Sequence, residues 1–161
     1  NVTGLVGRAR AAELALVNFD QESKKVRALR DRLQKGLQEK CKGAHVNGKN
    51  RLPNTTNISF EFIEGESILL MLNDVGISAS SGSACTSGAL EPSHVLRAMG
   101  IPFTLAHGSI RFSLSRYNTE KEIDYVVEHM PGIVERLLAI SPFAEQNLTG
   151  HSWGAPPSCS T

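Results

Sequence analysis

The sequence predicts an α/β fold, in which helices pack against a small sheet that is either mixed or antiparallel. Three observations predict this class. Apolar residues recur at helical spacing near both ends of the chain, short segments between them alternate apolar with polar residues, and turn residues separate the segments. At 161 residues the chain is long enough to bury one core. Hairpins and long crossovers both fit the spacing, so the strand order stays open.

A long helix is predicted from Leu5 to about Cys41. In its first half apolar residues occur on nearly every side, which predicts that this half is buried. A pause is expected at Asn18 to Asp20. In the second half apolar residues recur at spacings of 3, 4 and 4, which is typical of a single apolar stripe on a charged helix. The stripe consists of Val26, Leu29, Leu33 and Leu37.

The next stretch mixes turns with short elements. Residues 45–56 are rich in turn residues, whereas residues 57–63 alternate apolar and polar side chains and predict a half-buried strand. A short helix over residues 68–72 should end before Gly76, because glycine is favoured just after a helix end. Residues 77–80 could form a second short strand.

An unusual segment follows. From Ser80 to Ala89 every residue except Cys85 and Thr86 is Ser, Gly or Ala. Such a stretch offers little side-chain volume for packing and loses much backbone entropy when ordered, so residues 80–90 are predicted to form a mobile loop. A short helix should then run to Gly100.

The last third contains the clearest strand, at residues 108–114, where Ile110, Phe112 and Leu114 alternate with Ser109, Arg111 and Ser113. Thr119 and Glu122 have the spacing of a capping box and open a final helix. Pro131 lies within that helix and should kink it. Residues 143–161 lose all periodicity and are predicted to be a disordered tail.

Composition excludes several function classes. The net charge of +1 gives no electrostatic reason to bind nucleic acid or an anionic membrane, and there is no membrane-length apolar run or signal-peptide pattern. Three cysteines without a framework spacing favour a reducing compartment, so a cytoplasmic location is expected. Cys41 and His45 lie four residues apart but lack a second ligand pair, so no metal site is predicted. The chain begins at Asn1 rather than Met, which suggests a part of a longer protein.

Cys85 is the first candidate for chemistry. A cysteine in a loop of small residues is accessible, and the thiolate is the nucleophilic form of the side chain. No Lys or Arg lies within ten residues, so charge that is local in sequence does not activate it, and His94 and His107 are the nearest possible bases. The alternative is a buried cysteine that acts as a small apolar residue.

Arg111 is the second candidate, because a guanidinium between small serines on the polar side of a strand can bind a carboxylate through two hydrogen bonds. Its alternative is a surface salt bridge, and Arg116 is more simply a turn or cap residue. His107, just before the strand, is a possible accessory acid or base, with a structural role as the alternative. None of the seven lysines has the setting of a Schiff-base lysine.

These residues match a known family. SSGSACTSG at 80–88, followed by LEPSHVLRAM at 90–99, resembles the active-site loop of group I cysteine desulfurases. Residues 51–60 resemble the strand that precedes this loop in the family, and AHGSIRFSLSRY at 106–117 resembles the strand that follows it. Asn1-Val2-x-Gly4 is similar to the start of the family's long interdomain helix. The resemblance is greatest to the nitrogen-fixation (NifS-type) branch, with the housekeeping (IscS-type) branch second.

The resemblance implies the carboxy-terminal small domain of a fold-type I pyridoxal-phosphate enzyme like the aminotransferases. It also implies a reaction in which pyridoxal phosphate activates L-cysteine, the thiolate of Cys85 attacks the substrate's sulfur, L-alanine leaves and a persulfide stays on Cys85. Arg111 would hold the substrate carboxylate. The implied partners are an iron–sulfur scaffold protein (NifU-like or IscU-like), for nitrogenase cluster assembly, and a second subunit in a homodimer. The resemblance also implies contact between Cys85 and an iron–sulfur cluster during transfer.

The resemblance also implies what is missing. The family's cofactor lysine and other cofactor-binding residues lie in an upstream domain, so this chain alone is expected to bind no pyridoxal phosphate and to be inactive. We expect residues 1–142 to form the small domain, with 1–42 as the interdomain helix. Two other hypotheses for the function of the chain stay open. One is a sulfur-relay module in which Cys85 receives sulfur from another protein, and the other is an inert excised domain.

Overall fold

The computed structural model describes residues 1–81 and 93–141. Within them the chain forms five helices and four strands. In chain order they are α1 (Val2–Lys40), β1 (Ala44–Asn47), β2 (Thr55–Phe60), α2 (Gly65–Asp74), β3 (Ser80–Ser81), α3 (His94–Ala98), α4 (Phe103–His107), β4 (Ser109–Ser113) and α5 (Glu120–Ile140).

The four strands form one sheet in the order β1-β2-β4-β3, and every neighbouring pair is antiparallel. This confirms the predicted α/β class with a small antiparallel sheet. Ile58 lies opposite Ile110, and both are fully buried on the face that meets the helices. The helices contribute the apolar stripe of α1 together with buried residues of α2 and α5, among them Leu33, Ile68 and Val134. The core therefore lies on one side of the sheet.

The predicted burial of the first half of α1 is wrong. Its seven large apolar side chains are exposed, and the buried residues of α1 begin only at Val26. Burial needs a partner surface, and in the described part of the chain the sheet and α5 lie beneath the second half of the helix only. The exposed residues are Val2, Leu5, Val6, Leu14, Leu16, Val17 and Phe19.

The expected pause at residues 18–20 is also wrong, because α1 runs unbroken for 39 residues. Asn18 does not end the helix: its side-chain amide donates to the carbonyl oxygen of Leu14, one turn earlier, at 3.1 Å. The hydrogen-bonding capacity that makes asparagine a helix breaker is thereby used within the helix.

Three shorter elements differ from prediction. The strand β1 lies in the stretch predicted to be turns, between Gly43 and Gly48, which both have positive φ. The strand β2 begins and ends earlier than expected. It ends early because Phe62, two residues later, adopts a φ of +62° and turns the chain away from the sheet. The helix α4 begins directly after Pro102, so His107 ends a helix instead of entering a strand.

Other predictions are confirmed. Gly76 and Gly100 follow α2 and α3 with positive φ, as residues just past a helix end do. The capping box of Thr119 and Glu122 is present at the start of α5, and Pro131 lies inside that helix. The predicted disordered tail falls outside the described residues, as does most of the predicted mobile loop.

Candidate functional site

The face of the sheet opposite the core carries a row of polar side chains. The strand register places Asn47 opposite Asn57, Asn57 opposite Arg111, and Arg111 opposite Ser80. Residues directly opposite each other in antiparallel strands have Cβ atoms about 4.5–5.5 Å apart. One polar side chain from each of the four strands therefore lies in a single line, with Arg111 in its interior.

The β1 end of this row is fixed by hydrogen bonds. Asn47 is 7% exposed, and its side-chain Nδ2 donates to Asn57 Oδ1 at 2.5 Å and to Ser59 Oγ at 2.7 Å. Ser59 is fully buried. Buried polar groups in a satisfied network hold one orientation, because breaking any bond would leave a group desolvated without a partner. The side chain of Asn57 is thus held from one side.

Arg111 is exposed, and in the described part of the chain it makes no hydrogen bond or ion pair. It differs in this from Arg32, which binds Asp124, and from Arg116, which pairs with Glu22. The salt bridge that was the alternative for Arg111 is therefore not found among the described residues. A guanidinium without a protein partner keeps all its donors for an anionic ligand. Arg116 is confirmed as a turn residue that links the β4–α5 connection to α1.

His107 occupies a different setting. Its side chain is 15% exposed, its Nδ1 lies 3.6 Å from Glu64 Oε2, and its ring meets that of Phe103 edge-on with centroids 4.1 Å apart. Nε2 is buried without a hydrogen-bond partner among the described residues, and so is the hydroxyl of Ser109 two residues later. One ring nitrogen of His107 thus has an unused hydrogen-bonding site, and its accessory role stays a prediction.

Cys85 falls within residues 82–92, outside the described residues, and its role stays a prediction. The strand that leads to it is described: Ser81 pairs with Ile110 and Ser80 with Arg111. Cys41, in contrast, is 4% exposed, and burial raises the pKa of its thiol to about 11. At neutral pH that thiol is protonated and not nucleophilic.

The lysines do not fit a pyridoxal phosphate site. All seven are exposed, in α1, in the β1 region and at the start of α5. A lysine that forms a Schiff base is activated by desolvation or by a neighbouring cation, and these side chains stand in water. Nor do the described residues contain a group of three or more His, Cys, Asp or Glu side chains that could hold a metal ion.

A cavity of about 520 Å³ lies elsewhere, between α1, the start of α5 and the end of β4. Its lining includes Ile77, Phe112, Lys121 and Tyr125, and neither Arg111 nor His107 is among the described residues that line it. We place the candidate site on the polar face of the sheet because the guanidinium of Arg111, which has no partner among the described residues, lies there beside Ser80 of β3.

Sequence reasoning missed Asn47, Asn57 and Ser59. A signal for the last two was present, since they occupy the polar positions of an alternating strand, as Arg111 does. Asn47 was not recognised because it precedes Gly48, and Asn-Gly is a strong turn signal. In the structure this Asn-Gly pair stands at the end of β1.

In the described residues no helix is long and apolar enough to cross a bilayer. This agrees with the sequence, which has no apolar run of membrane length.

Known cysteine desulfurases are similar in sequence to most of this chain. The cysteine desulfurase of Gluconacetobacter diazotrophicus is 58% identical over 158 residues, which cover 97% of this chain and 40% of that protein. The cysteine desulfurase NifS of Azotobacter vinelandii is 57% identical over 149 residues, which cover 91% of this chain and 37% of that protein. This chain thus spans 40% or less of the length of these two relatives.

A solved structure described as a NifS-like protein has the same fold, with a TM-score of 0.73 at 37% identity over 85% of this chain and 34% of the other. The family model described as Aminotransferase class-V matches residues 1–126. That match includes β4 and Arg111 as well as the whole of α1. The chain belongs to the class-V aminotransferase family.

Proposed function

We propose that this chain is the sulfur-accepting part of a cysteine desulfurase, in which Arg111 binds the carboxylate of L-cysteine and Cys85 takes its sulfur. The observation that carries the proposal is the position of Arg111, whose guanidinium has no protein partner in the described part of the chain and which lies opposite Ser80 in the sheet. The two relatives described above are named as cysteine desulfurases, which supports the same reaction.

Arg111 suits a small carboxylate substrate. Its two parallel N–H donors match the two oxygens of a carboxylate, and the geometry fixes the orientation of the ligand as well as its charge. The β4 strand supports the side chain, because Ile110 and Phe112 on either side of it are anchored in the core. A substrate held at Arg111 would therefore have a fixed position relative to the sheet.

Cys85 follows Ser81 by four residues, and four residues span at most about 14 Å. Because β3 pairs beside Arg111, this chain length sets an upper limit on the distance between Cys85 and the proposed substrate site. The Cys85 thiolate attacks the sulfur of L-cysteine, a sulfur–sulfur bond forms, and the bond between that sulfur and the substrate's Cβ breaks. The electron pair leaves on Cβ, which takes up a proton to give L-alanine, and a persulfide stays on Cys85.

The whole protein would use pyridoxal phosphate, which supplies an electron sink for the carbon skeleton of an amino acid when it is bound. Because the lysines of this chain do not fit that cofactor, we propose that residues outside the chain hold it. The 161-residue chain alone would then bind no pyridoxal phosphate and would release no alanine from cysteine.

The persulfide needs an acceptor. We propose an iron–sulfur scaffold protein, NifU-like or IscU-like, within nitrogenase cluster assembly, and a homodimer for the whole protein in the cytoplasm. The NifS name of the Azotobacter vinelandii relative favours the nitrogen-fixation branch over the housekeeping branch.

The test uses the whole protein with L-cysteine. The peptide that contains Cys85 should gain the mass of one sulfur atom, and L-alanine should form in equal amount. Cys85→Ser should abolish both, whereas Cys41→Ser, which removes a buried thiol, should retain both in the folded protein. Sulfur on a different cysteine, or alanine formation by Cys85→Ser, would refute the proposal. A visible absorbance band from a cofactor–lysine adduct in the 161-residue chain would refute the assignment of the cofactor to other residues.

A second candidate is a sulfur-relay module, which the exposure of all seven lysines favours because a relay needs no cofactor of its own. Mixing the chain with an active desulfurase and L-cysteine distinguishes the two. A relay module would gain sulfur on Cys85 and would do so at a rate set by the added enzyme, whereas the desulfurase part would need its own cofactor-binding residues.

A further inference from the structure

We infer that Asn57 is a second carboxylate-binding residue beside Arg111, and that Asn47 is the positioning residue that turns the Asn57 amide so that it donates. This inference rests on the proposed role of Arg111 and deepens it, because it defines how the site selects a carboxylate. It is carried by the hydrogen bonds of the polar row and by the strand register.

The hydrogen bonds of Asn47 determine the orientation of Asn57. Both N–H groups of Asn47 Nδ2 are engaged, one with Asn57 Oδ1 and one with Ser59 Oγ. Because Asn57 uses its oxygen toward β1, its Nδ2 is at the other end of the amide, away from β1. That Nδ2 has no hydrogen-bond partner in the described part of the chain, and the side chain is only half-buried. It is an oriented donor that is accessible to a ligand.

The register places this donor beside the guanidinium. Asn57 and Arg111 are directly opposite in the β2–β4 pair, with Cβ atoms about 4.5–5.5 Å apart. A guanidinium offers donors only, and the free end of Asn57 offers donors only. Two adjacent donor groups cannot hydrogen-bond to each other. Both obtain a partner only when a ligand with acceptor atoms binds between them. A carboxylate on Arg111 is such an acceptor, since each oxygen has more than one lone pair.

The opposite orientation of the two amides would give a different arrangement. If Asn57 offered Nδ2 to Asn47, its oxygen would lie toward β4 and could accept a hydrogen bond from Arg111. No such bond exists in the structure. On the other side of Arg111, the hydroxyl of Ser80 donates to the carbonyl oxygen of Ser81 at 3.1 Å, so its proton is already used. Apart from Arg111 itself, Asn57 is thus the residue of the row whose donor is free for the ligand in the described part of the chain.

The experiment uses the whole protein and 3-mercaptopropionate, which has the thiol and carboxylate of cysteine but no amine, so its binding does not require reaction with the cofactor. Its dissociation constant is measured by calorimetry. Asn57→Ala should weaken binding about 10- to 100-fold, the effect of one hydrogen bond to a charged group. 2-Mercaptoethanol, a thiol without a carboxylate, should bind each variant equally.

Asn47→Asp is the sharper variant. A carboxylate at position 47 can only accept, so Asn57 would turn its Nδ2 toward β1 and its oxygen toward Arg111. Binding of 3-mercaptopropionate should weaken as much as in Asn57→Ala, although residue 47 does not touch the ligand. Ser113→Ala, an exposed change on the same face of β4, is the matched control and should bind as the wild type does. In steady state with L-cysteine, Asn57→Ala should raise KM more than it lowers kcat.

The outcomes separate this inference from the proposed function. If Arg111→Ala does not weaken binding of 3-mercaptopropionate, the proposed carboxylate site fails, and the inference fails with it. If Arg111→Ala weakens binding but Asn57→Ala leaves it unchanged, Arg111 stands and the role of Asn57 is refuted. If Asn57→Ala weakens binding but Asn47→Asp does not, the orienting role of Asn47 is refuted. Each variant is first compared with the wild type by urea unfolding, so that loss of fold is not read as loss of binding.

Discussion

Arg32 on α1 donates two hydrogen bonds to the carboxylate of Asp124 on α5, from Nε at 2.8 Å and from Nη2 at 2.9 Å. The pair joins the two longest helices of the fold at the surface above the core. The hydrogen bond from Arg32 is the largest of the causes that hold the pKa of Asp124 below its ordinary value.

The lowered pKa of Asp124 predicts a pH dependence of folding. A carboxyl whose pKa is lower in the folded state stabilises the fold above its ordinary pKa, and this contribution is lost as the pH falls through the folded value. Below pH 4 the free energy of unfolding should therefore decrease more steeply for the wild type than for Asp124→Asn. Urea unfolding at a series of pH values measures this. Asp20→Asn, which removes an exposed carboxylate without a partner in the described part of the chain, should retain the wild-type slope.

The effect of Gly36→Ala on stability should change sign between the wild-type protein and a Val127→Ala background. A Cβ at position 36 would lie 2.7 Å from both methyl carbons of Val127, so Gly36→Ala should destabilise the protein by about 1–3 kcal/mol through overpacking. In a Val127→Ala background the same change should stabilise it by up to about 1 kcal/mol, because alanine is the better helix former. Gly132→Ala, where a Cβ would meet nothing within 4 Å, is the control and should stabilise. Equal effects of Gly36→Ala in both backgrounds would contradict the contact.

Gly108 should tolerate no side chain. A Cβ there would overlap the carbonyl oxygen of Phe60 and would lie 2.7 Å from that of Ile63, and the Phe60 carbonyl cannot move without disturbing β2. Gly108→Ala should lower the midpoint of urea unfolding strongly, with loss of several kcal/mol, roughly the upper end for a single substitution. Gly76→Ala is the comparison: its φ of +76° strains alanine, but open space surrounds the site, so the loss should be smaller.

The thiol of Cys41 should not react with alkylating reagents in the folded protein. Because burial raises the pKa of its thiol to about 11, iodoacetamide at pH 8 should label Cys41 only after unfolding. Mass spectrometry of peptides from native and urea-treated protein measures the labelling of each cysteine. Labelling of Cys41 in the native protein at the rate of the unfolded one would contradict its burial.

His107 offers a test of its predicted accessory role. If it moves a proton in the reaction, His107→Gln in the whole protein should lower kcat by about 10²–10⁴-fold and alter the pH profile of kcat. A structural role alone would lower stability, through loss of the contact with Phe103, and would leave kcat nearly unchanged. Measuring urea unfolding beside kcat separates the two roles.

The elements that the sequence predicts correctly are those that local chemistry determines. The stripe from Val26 to Leu37, the capping box at Thr119 and the glycines after α2 and α3 each act within a few residues of themselves. The strand β1 could not be predicted in this way, because its four residues are a strand only by pairing with β2. The exposure of Leu16 and Val17 was missed for a related reason: composition says that a helix can be buried, not what covers it.

The same distinction between local chemistry and strand pairing applies to the residues of the candidate site. Arg111 could be identified, because it stands alone among small residues on an alternating strand, and the family resemblance supports it. Asn57 occupies a polar position of an alternating strand, but neither Asn57 nor Asn47 could be linked to Arg111 from the sequence, since only the register of three strands brings them together. The orientation of an amide depends on hydrogen bonds between such neighbours, and no spacing in the sequence encodes it.

The strand β3 is two residues long, and it joins Arg111 to the segment that holds Cys85. So short a pairing at the edge of a sheet opens at a small fraction of the free energy that unfolds the domain. If an anion bound at Arg111 favours the state in which β3 is paired with β4, then by reciprocity this pairing raises the affinity for the anion by the same factor. Occupancy of the proposed substrate site and the pairing of β3, which leads to Cys85, would then be one coupled equilibrium, in which Ser80 opposite Arg111 is the direct link.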